Sequence, residues 1–176
     1  MIQMKPFKAP PFPIEVDSGV RSVGANLLFE FRVRDPDNRV LGGFVPAEYV
    51  AADFKRADEL WRRTCFEAFW GPPGQERYWE LNLSPNAPRW NLYSFDGYRT
   101  PEPPRPETRG RLLEMKVEAD CLRCLLEPPE AVRGPEMNLT AVIQTGREVY
   151  HYAIHHPGTK PDFHARAGFQ RHLVRA

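Results

Sequence analysis

All four tryptophans of the chain lie within residues 61–90, at Trp61, Trp70, Trp79 and Trp90. Carboxylate, amide and guanidinium side chains alternate with them in this segment. A flat aromatic ring offers a large contact to the apolar face of a sugar or to a planar cofactor, and polar groups beside it fix the orientation of the ligand by hydrogen bonds. The segment is therefore typical of a binding surface.

Alternation along residues 78–84 separates two faces, because successive side chains of a strand point to opposite sides of a sheet. Trp79 shares one face with two leucines, whereas Glu80 and Asn82 share the other face. The pattern predicts that Trp79 lies in the hydrophobic core. It also predicts that the polar face of this strand is turned away from that core.

Glu67 lies in a second run that is otherwise apolar, where a carboxylate is costly unless it is paired or hydrogen-bonded. We expect Glu67, Glu80 and Asn82 to form a polar cluster on one sheet face. Such a cluster is either a structural network with nearby arginines or part of a ligand site, since charged clusters occur in both roles. The arginines available for a structural network are Arg62, Arg63 and Arg99.

Glu67 and Glu80 could also act as the acid and base of a glycoside hydrolase, in which the separation of two carboxyl groups decides the stereochemical course. The sequence does not supply that separation. It also contains no nucleophile elbow, phosphate loop, zinc signature or dinucleotide fingerprint. We therefore predict a protein without catalytic activity.

Cys121 and Cys124 form a C-x-x-C motif, which could chelate zinc or act as a redox pair. The motif lies in an apparent strand, where residues three apart face opposite sides, and no second cysteine pair follows it. We interpret the two thiols as buried structural side chains.

Four histidines near the C-terminus could supply metal or haem ligands. They are His151, His155, His156 and His164. Adjacent histidines point apart in a strand, and a haem site also needs an axial partner, for which Met115 and Met137 are candidates. Haem or another planar cofactor is therefore an alternative ligand, while no metal site is predicted.

A Pro-rich turn surrounds Asp162, with His156 and His164 on either side. A carboxylate that is hydrogen-bonded by an imidazole and by backbone amides commonly fixes such a loop. We expect these three residues to brace the turn.

The composition limits the possible partners. The 176 residues suit one domain, 1–176, and the 24 Lys and Arg nearly balance the 23 Asp and Glu, for a formal net charge of +1. This balance argues against nucleic acid and membrane surfaces as partners. Three cysteines and no apolar run of secretory or membrane-spanning length indicate a cytoplasmic protein.

The 19 prolines lie in clusters that separate short apolar or alternating runs. The predicted strands are residues 25–33, 60–70, 78–84, 90–98, 112–119, 121–126, 139–144 and 148–155. Only residues 47–63 have helical character, and residues 101–110 are expected to form a surface loop or lid. The predicted fold is an all-β, two-sheet antiparallel β-sandwich of jelly-roll or immunoglobulin-like type with little helix.

Residues 60–99 resemble the DOMON-like domains related to the family 9 carbohydrate-binding modules. The resemblance rests on the segments 60–61, 64–69, 78–85 and 93–99, and residues 156–164 are similar to the terminal signature of a bacterial subgroup. It implies a two-sheet β-sandwich that binds a ligand, with sugars and haem as the known ligand classes. Trp61 and Glu67 match the tryptophan and glutamate of the modules' characteristic strand. Thr64 and Trp70 replace the aspartates of many modules, so no calcium site is implied.

We therefore predict a ligand-binding module for a carbohydrate or a sugar-containing metabolite on an open sheet face. Trp61, with Trp90 or Tyr98, is expected to stack on the ligand. The residues expected to bind its hydroxyl groups are Arg62, Glu67, Glu80, Asn82 and Arg99. A protein-interaction module without a small ligand is a third hypothesis, in which the tryptophans belong to a core or an interface.

Overall fold

The computed structural model describes residues 1–40 and 43–175. These residues form fifteen strands in two sheets, which pack face to face and confirm the predicted all-β sandwich. The helical elements of these residues are three single-turn 3-10 helices, Ala51–Asp53, Leu60–Arg62 and Arg166–Gly168. No helix within the described ranges is long and apolar enough to cross a membrane.

The first sheet has seven strands in the order β1-β3-β4-β12-β11-β5, with β15 beside β3. Its pairs are antiparallel except for the short β15–β3 pair. The strands of this sheet are β1 (Ile2–Gln3), β3 (Glu15–Val23), β4 (Asn26–Arg34), β5 (Ala47–Val50), β11 (Arg111–Val117), β12 (Cys121–Glu127) and β15 (Val174–Arg175).

The second sheet has eight strands in the order β10-β9-β8-β7-β13-β14-β2, with β6 parallel to β9. The strands of this sheet are β2 (Lys5–Pro6), β6 (Lys55–Arg56), β7 (Cys65–Gly71), β8 (Tyr78–Leu83), β9 (Arg89–Phe95), β10 (Arg105–Pro106), β13 (Glu136–Thr145) and β14 (Glu148–Ala153). The chain crosses between the sheets several times, so neighbouring strands are often distant in sequence.

The main core lies between the two sheets and contains the inward side chains of both. Phe31 of the seven-stranded sheet stacks on Phe66 of the eight-stranded sheet, with ring centroids 5.1 Å apart. Trp70 and Trp79, on neighbouring strands, place their rings 6.0 Å apart. Trp79 is buried, as predicted from the alternation of its strand. Each large apolar side chain removed from water in this way contributes roughly 1.5–3 kcal/mol.

The C-terminal segment covers part of the outer face of the eight-stranded sheet. This face is therefore not the open sheet face that the sequence predicted. The C-terminal segment crosses it and packs Phe169 and Phe163 against a second, smaller cluster of aromatic rings. The rings on the sheet are Phe69, Tyr78, Tyr93 and Phe95. All seven residues of β7 are consequently buried.

Two sequence expectations require correction. Residues 47–63 do not form an α-helix: Ala47–Val50 is strand β5, which pairs with β11 and is joined to it by an ion pair of 2.7 Å between Lys116 Nζ and Glu48 Oε1. Residues 60–70 do not form one strand, because a 3-10 turn at Leu60–Arg62 precedes β7. The nine-residue strand β3, Glu15–Val23, was not anticipated.

Two further expectations concern the surface loop and the cysteines. Residues 101–110 do form a loop, which Arg105–Pro106 fastens to β9 as strand β10. Cys121 and Cys124 are both buried in β12, as expected. Cys124 belongs to the main core, whereas Cys121 lies on the other face, where its sulfur is 3.7 Å from Glu30 Oε1.

Candidate functional site

A pocket of about 290 Å³ lies on the outer face of the eight-stranded sheet. Strands β7, β8, β9, β13 and β14 form its floor. Its walls come from the 3-10 turn that carries Trp61, from the loop that follows β9, and from the C-terminal segment. The volume is at the lower end of the range of ligand pockets, roughly 300–1,000 Å³, and suits a small ligand.

The register of β7 and β8 sets the polar floor of the pocket. Phe69 pairs with Glu80, and Glu67 pairs with Asn82. Glu67 and Glu80 are therefore diagonal neighbours on the outer face, close enough for their side chains to interact. Both carboxyl groups line the pocket. The predicted polar cluster of Glu67, Glu80 and Asn82 is thus present in the structure.

Both carboxyl groups are nearly removed from solvent, because Glu67 is 2% and Glu80 is 4% exposed. Glu67 Oε2 accepts a hydrogen bond of 2.9 Å from Thr140 Oγ1, and Glu80 Oε1 accepts one of 2.7 Å from Asn82 Nδ2. Both donors are neutral. Of the arginines expected to pair with this cluster, Arg99 lines the same pocket, whereas Arg62 pairs with Glu59 at 2.7 Å.

Burial and proximity make these two carboxyl groups poor acids. Burial raises the pKa of Glu67, and the neighbouring Glu80 charge raises it further, against the smaller effect of the Thr140 hydrogen bond. Burial also raises the pKa of Glu80. The Asn82 hydrogen bond and the positive charge of Arg99 act to lower this pKa and partly offset the effect of burial. Like charges and desolvation both disfavour the ionised forms.

His164 lies beside Glu80, with its Nε2 atom 3.7 Å from Glu80 Oε2. Its Nδ1 atom is 2.9 Å from the hydroxyl of Tyr78, and that hydroxyl accepts a hydrogen bond of 3.2 Å from the Arg99 amide. Burial lowers the pKa of His164 to about 4, and the charge of Arg99 acts in the same direction. The imidazole is therefore neutral near pH 7, with its Nδ1 atom in hydrogen-bond contact with the Tyr78 hydroxyl and its Nε2 atom on the side of Glu80.

Asp162 is held by Tyr98 and Arg99 at the end of the C-terminal wall. Asp162 Oδ2 accepts a hydrogen bond of 2.8 Å from the Tyr98 hydroxyl, and Oδ1 lies 3.5 Å from Arg99 Nη2 and accepts one of 3.2 Å from the His164 amide. Partial burial acts to raise the pKa of Asp162, but the Tyr98 hydrogen bond and the Arg99 charge outweigh it, so the pKa is lowered.

The imidazoles brace different groups from those expected. His156 Nε2 is 2.9 Å from the Lys5 carbonyl oxygen, and its ring lies edge-on to Phe7 at 5.3 Å. Tyr98 and Arg99 therefore fix the Asp162 turn together with the His164 amide, while His156 joins the C-terminal segment to the start of the chain.

The aromatic wall of the pocket includes Trp61, which is 36% exposed. Its ring lies edge-on to that of Tyr93, with centroids 6.2 Å apart. The ring centroids of Phe69 and Phe163 lie 6.2 Å apart, with Phe69 on the floor and Phe163 on the C-terminal wall. The pocket thus combines apolar ring surface with buried carboxyl groups.

The structure brings some of the predicted ligand-binding residues together and separates others. Trp61, Glu67, Glu80 and Arg99 line the pocket, and Asn82 supports Glu80 from beside it. The remaining predicted residues are Arg62, Trp90 and Tyr98.

The pocket is not lined by Arg62, Trp90 or Tyr98. Trp90 is 6% exposed and lies in the main core, with the Arg56 guanidinium 4.3 Å from its ring centroid. Arg62 points to Glu59, and Tyr98 is half-exposed beside Asp162. Trp90 fails to reach the pocket because β9 alternates and places it with Leu92 on the inner face.

The residues considered as haem ligands do not all meet at the pocket. His151 and His164 line the pocket, whereas Met115 and Met137 are buried in the core between the sheets. Burial and the neighbouring His156 lower the pKa of His151. In the described part of the chain, no group of three or more His, Cys, Asp or Glu side chains is arranged to hold a metal ion.

Several pocket residues were not predicted as site residues from the sequence. They are Phe69, Phe95, Pro101, Glu102, Pro104, Val142, Pro161 and Phe163, whereas His151 was considered only as a metal or haem ligand. Alternation from Glu67 and Glu80 would have selected Phe69 on β7, since residues two apart share a face. The others depend on strand pairing and on the path of the C-terminal segment, which alternation in one strand does not specify.

No protein-family model matches the chain, and no curated protein matches it in sequence. In fold, the chain is similar to the crystal structure of a candidate carbohydrate-binding protein from Bacteroides uniformis ATCC 8492, with a TM-score of 0.63. The match covers 99% of this chain and 87% of the other, at 15% sequence identity. At this identity the similarity shows a common β-sandwich fold and not a common function.

Proposed function

We propose that the chain is a non-catalytic binding module and that its ligand is a carbohydrate held in the pocket on the outer face of the eight-stranded sheet. The observation that carries the proposal is the combination of an accessible tryptophan, Trp61, with two buried carboxyl groups in one small pocket. The protein of similar fold from Bacteroides uniformis is described as a candidate carbohydrate-binding protein, which is consistent with this proposal.

The two kinds of lining residue suit the two kinds of surface on a sugar ring. Trp61 and the nearby phenylalanines offer apolar area to the C–H groups of the ring. Glu67 and Glu80 offer oxygen acceptors to its hydroxyl groups, and Arg99 and the imidazole of His164 offer donors. Because the acceptors are fixed by strand pairing and by Thr140 and Asn82, little side-chain freedom is lost on binding.

Isothermal titration with mono- and oligosaccharides tests the proposal. In Trp61→Ala, the affinity for the sugar that the wild type binds is expected to fall at least tenfold, corresponding to about 1.4 kcal/mol. Val50→Ala is a suitable control, because Val50 is exposed on strand β5 of the other sheet. The same sugar should be recovered uncleaved after prolonged incubation.

Two results would contradict this function. Equal affinities of Trp61→Ala and the wild type would show that the sugar binds away from the pocket. Absence of any heat of binding across the panel would remove the carbohydrate proposal altogether.

A further inference from the structure

The pocket is lined by more carboxyl groups than guanidinium groups. The groups of either sign that line it are Glu67, Glu80, Glu102, Arg99, His151 and His164. The side chain of Arg99 is half-exposed and already lies 3.5 Å from Asp162. Its charge is therefore shared with a carboxylate outside the pocket and screened by solvent.

The two imidazoles add no positive charge near neutral pH. Burial lowers the pKa of His164 to about 4, and burial also lowers the pKa of His151. Three carboxyl groups thus face one guanidinium that is engaged elsewhere. A cationic ligand between Glu67 and Glu80 favours their ionised forms, which burial disfavours at both and the neighbouring Glu80 charge also disfavours at Glu67, whereas a neutral ligand does not.

The hydrogen bonds of the buried carboxyl groups are also incomplete. Thr140 donates to Glu67 Oε2, but no donor from residues 1–40 or 43–175 reaches Glu67 Oε1. Glu67 is 2% exposed as a whole residue and lies on the pocket floor. Glu80 Oε2 has the His164 Nε2 atom at 3.7 Å, beyond an ordinary hydrogen bond.

We infer that the ligand carries a protonated amine, as an amino sugar does, and that its ammonium group binds between the carboxyl groups of Glu67 and Glu80. This inference rests on the proposed carbohydrate function and narrows its ligand class. An ammonium group supplies three donors and a positive charge at one point, so it satisfies both carboxyl groups at once. A sugar hydroxyl donates a single hydrogen bond and brings no charge.

The aromatic lining favours the same class of ligand. Phe69, Phe95 and Phe163 line the pocket that holds the two carboxyl groups. A cation within about 6 Å of the face of an aromatic ring is attracted by its quadrupole, and desolvation strengthens the attraction. The rest of the sugar remains available for contact with Trp61.

Calorimetric titration with matched sugars tests the inference. The probes are glucosamine, N-acetylglucosamine and glucose, together with the corresponding disaccharides with free and acetylated amines. The wild type should bind the free amines at least tenfold more tightly than the acetylated and neutral sugars. Glu67→Gln should abolish this preference, and Glu80→Gln provides a second variant at the same position of the pocket.

Glu114→Gln is the matched control, because Glu114 is an exposed glutamate on strand β11 of the other sheet. It should retain the full preference for the free amine. Circular dichroism confirms that each variant is folded, and the comparison of sugars on the wild type stands without any variant.

The outcomes separate this inference from the function on which it rests. Binding of neutral or acetylated sugars as tightly as the free amines would overturn the inference and leave the carbohydrate function intact. Retention of the amine preference in both Glu67→Gln and Glu80→Gln would overturn the assignment of the ammonium position. Failure of every sugar to bind would overturn the carbohydrate function and the inference together.

Discussion

Glu67 places a carboxyl group where a hydrophobic side chain would stabilise the fold better but would not provide a polar group for a ligand. Its carboxyl group is buried beside that of Glu80 and receives one neutral hydrogen bond from Thr140. A hydrophobic residue in its place would suit the folded chain alone, since an unpaired buried carboxylate is costly. Its position on the pocket floor gives a reason for a carboxyl group at this site.

The raised pKa of Glu67 leads to a prediction about stability and pH. Between the ordinary glutamate value of 4.5 and the raised pKa, the folded chain holds a proton that the unfolded chain has released. The free energy of unfolding therefore falls as pH rises through this window. Glu67→Gln has no titrating proton at this position. Its free energy of unfolding should therefore fall less than that of the wild type as pH rises through this window.

Urea denaturation at pH 5 and pH 8 measures the effect. The stability of Glu67→Gln relative to the wild type should increase from pH 5 to pH 8 by at least about 1.4 kcal/mol, the equivalent of one pKa unit. The exposed Glu114→Gln should show no such change. A constant difference between Glu67→Gln and the wild type at both pH values would contradict the burial of an ionisable carboxyl group.

At the residue scale, the alternation of side chains along single strands correctly predicted which face of the sheet several side chains occupy. It placed Trp79 in the core and Glu67, Glu80 and Asn82 together on the other face, as the structure shows. The same rule applied to β9 would have placed Trp90 inside with Leu92. The exposed Trp61 precedes β7 in a 3-10 turn, where strand alternation does not apply.

At the scale of elements, the C-terminal segment converts an open sheet face into a pocket. Its path was not predictable from the sequence, because contacts such as Phe169 on Tyr78 join residues far apart in the chain. Strand β3 was also missed, since Asp17, Ser18 and Gly19 interrupt its apolar pattern. Pairing with β4 on one side and with β1 and β15 on the other supplies the partners that make it a strand.

Two phenylalanines of this segment are expected to differ in their roles. Phe169 is buried and does not line the pocket, so Phe169→Ala should lower the free energy of unfolding by about 3–5 kcal/mol. Phe163 is partly buried and lines the pocket, so Phe163→Ala should cost less stability and weaken sugar binding more.

Denaturant titration and calorimetry on the same two variants measure both effects. Phe163→Ala should bind the sugar at least fivefold more weakly than the wild type, or about 1 kcal/mol. If Phe163→Ala binds as the wild type does, the C-terminal segment does not form a wall of the binding site.

At the scale of the whole molecule, the net charge of +1 gives no sign of a local excess of carboxyl groups. Strand pairing and the C-terminal segment gather Glu67, Glu80 and Glu102 into one pocket, while most arginines pair with acidic residues elsewhere on the surface. Composition therefore does not indicate the acidic character of the pocket, which follows from the fold.

The resemblance to DOMON-like domains anticipated the β-sandwich, which the structure and the protein of similar fold both support. Trp61 lines the pocket, and its role in binding stays a prediction. Membership of that family remains a prediction, because the similarity of fold occurs at 15% identity.

The most direct test of a sugar site in this pocket is tryptophan emission during titration with the sugars, for the wild type and for Trp61→Phe. Trp61 lines the pocket, while the other three tryptophans are buried in the core. The wild type should show a saturable change in emission. Trp61→Phe should lose that change while calorimetry still detects binding, because phenylalanine keeps an aromatic contact. A saturable change that persists in Trp61→Phe would contradict the account by placing the ligand near another tryptophan.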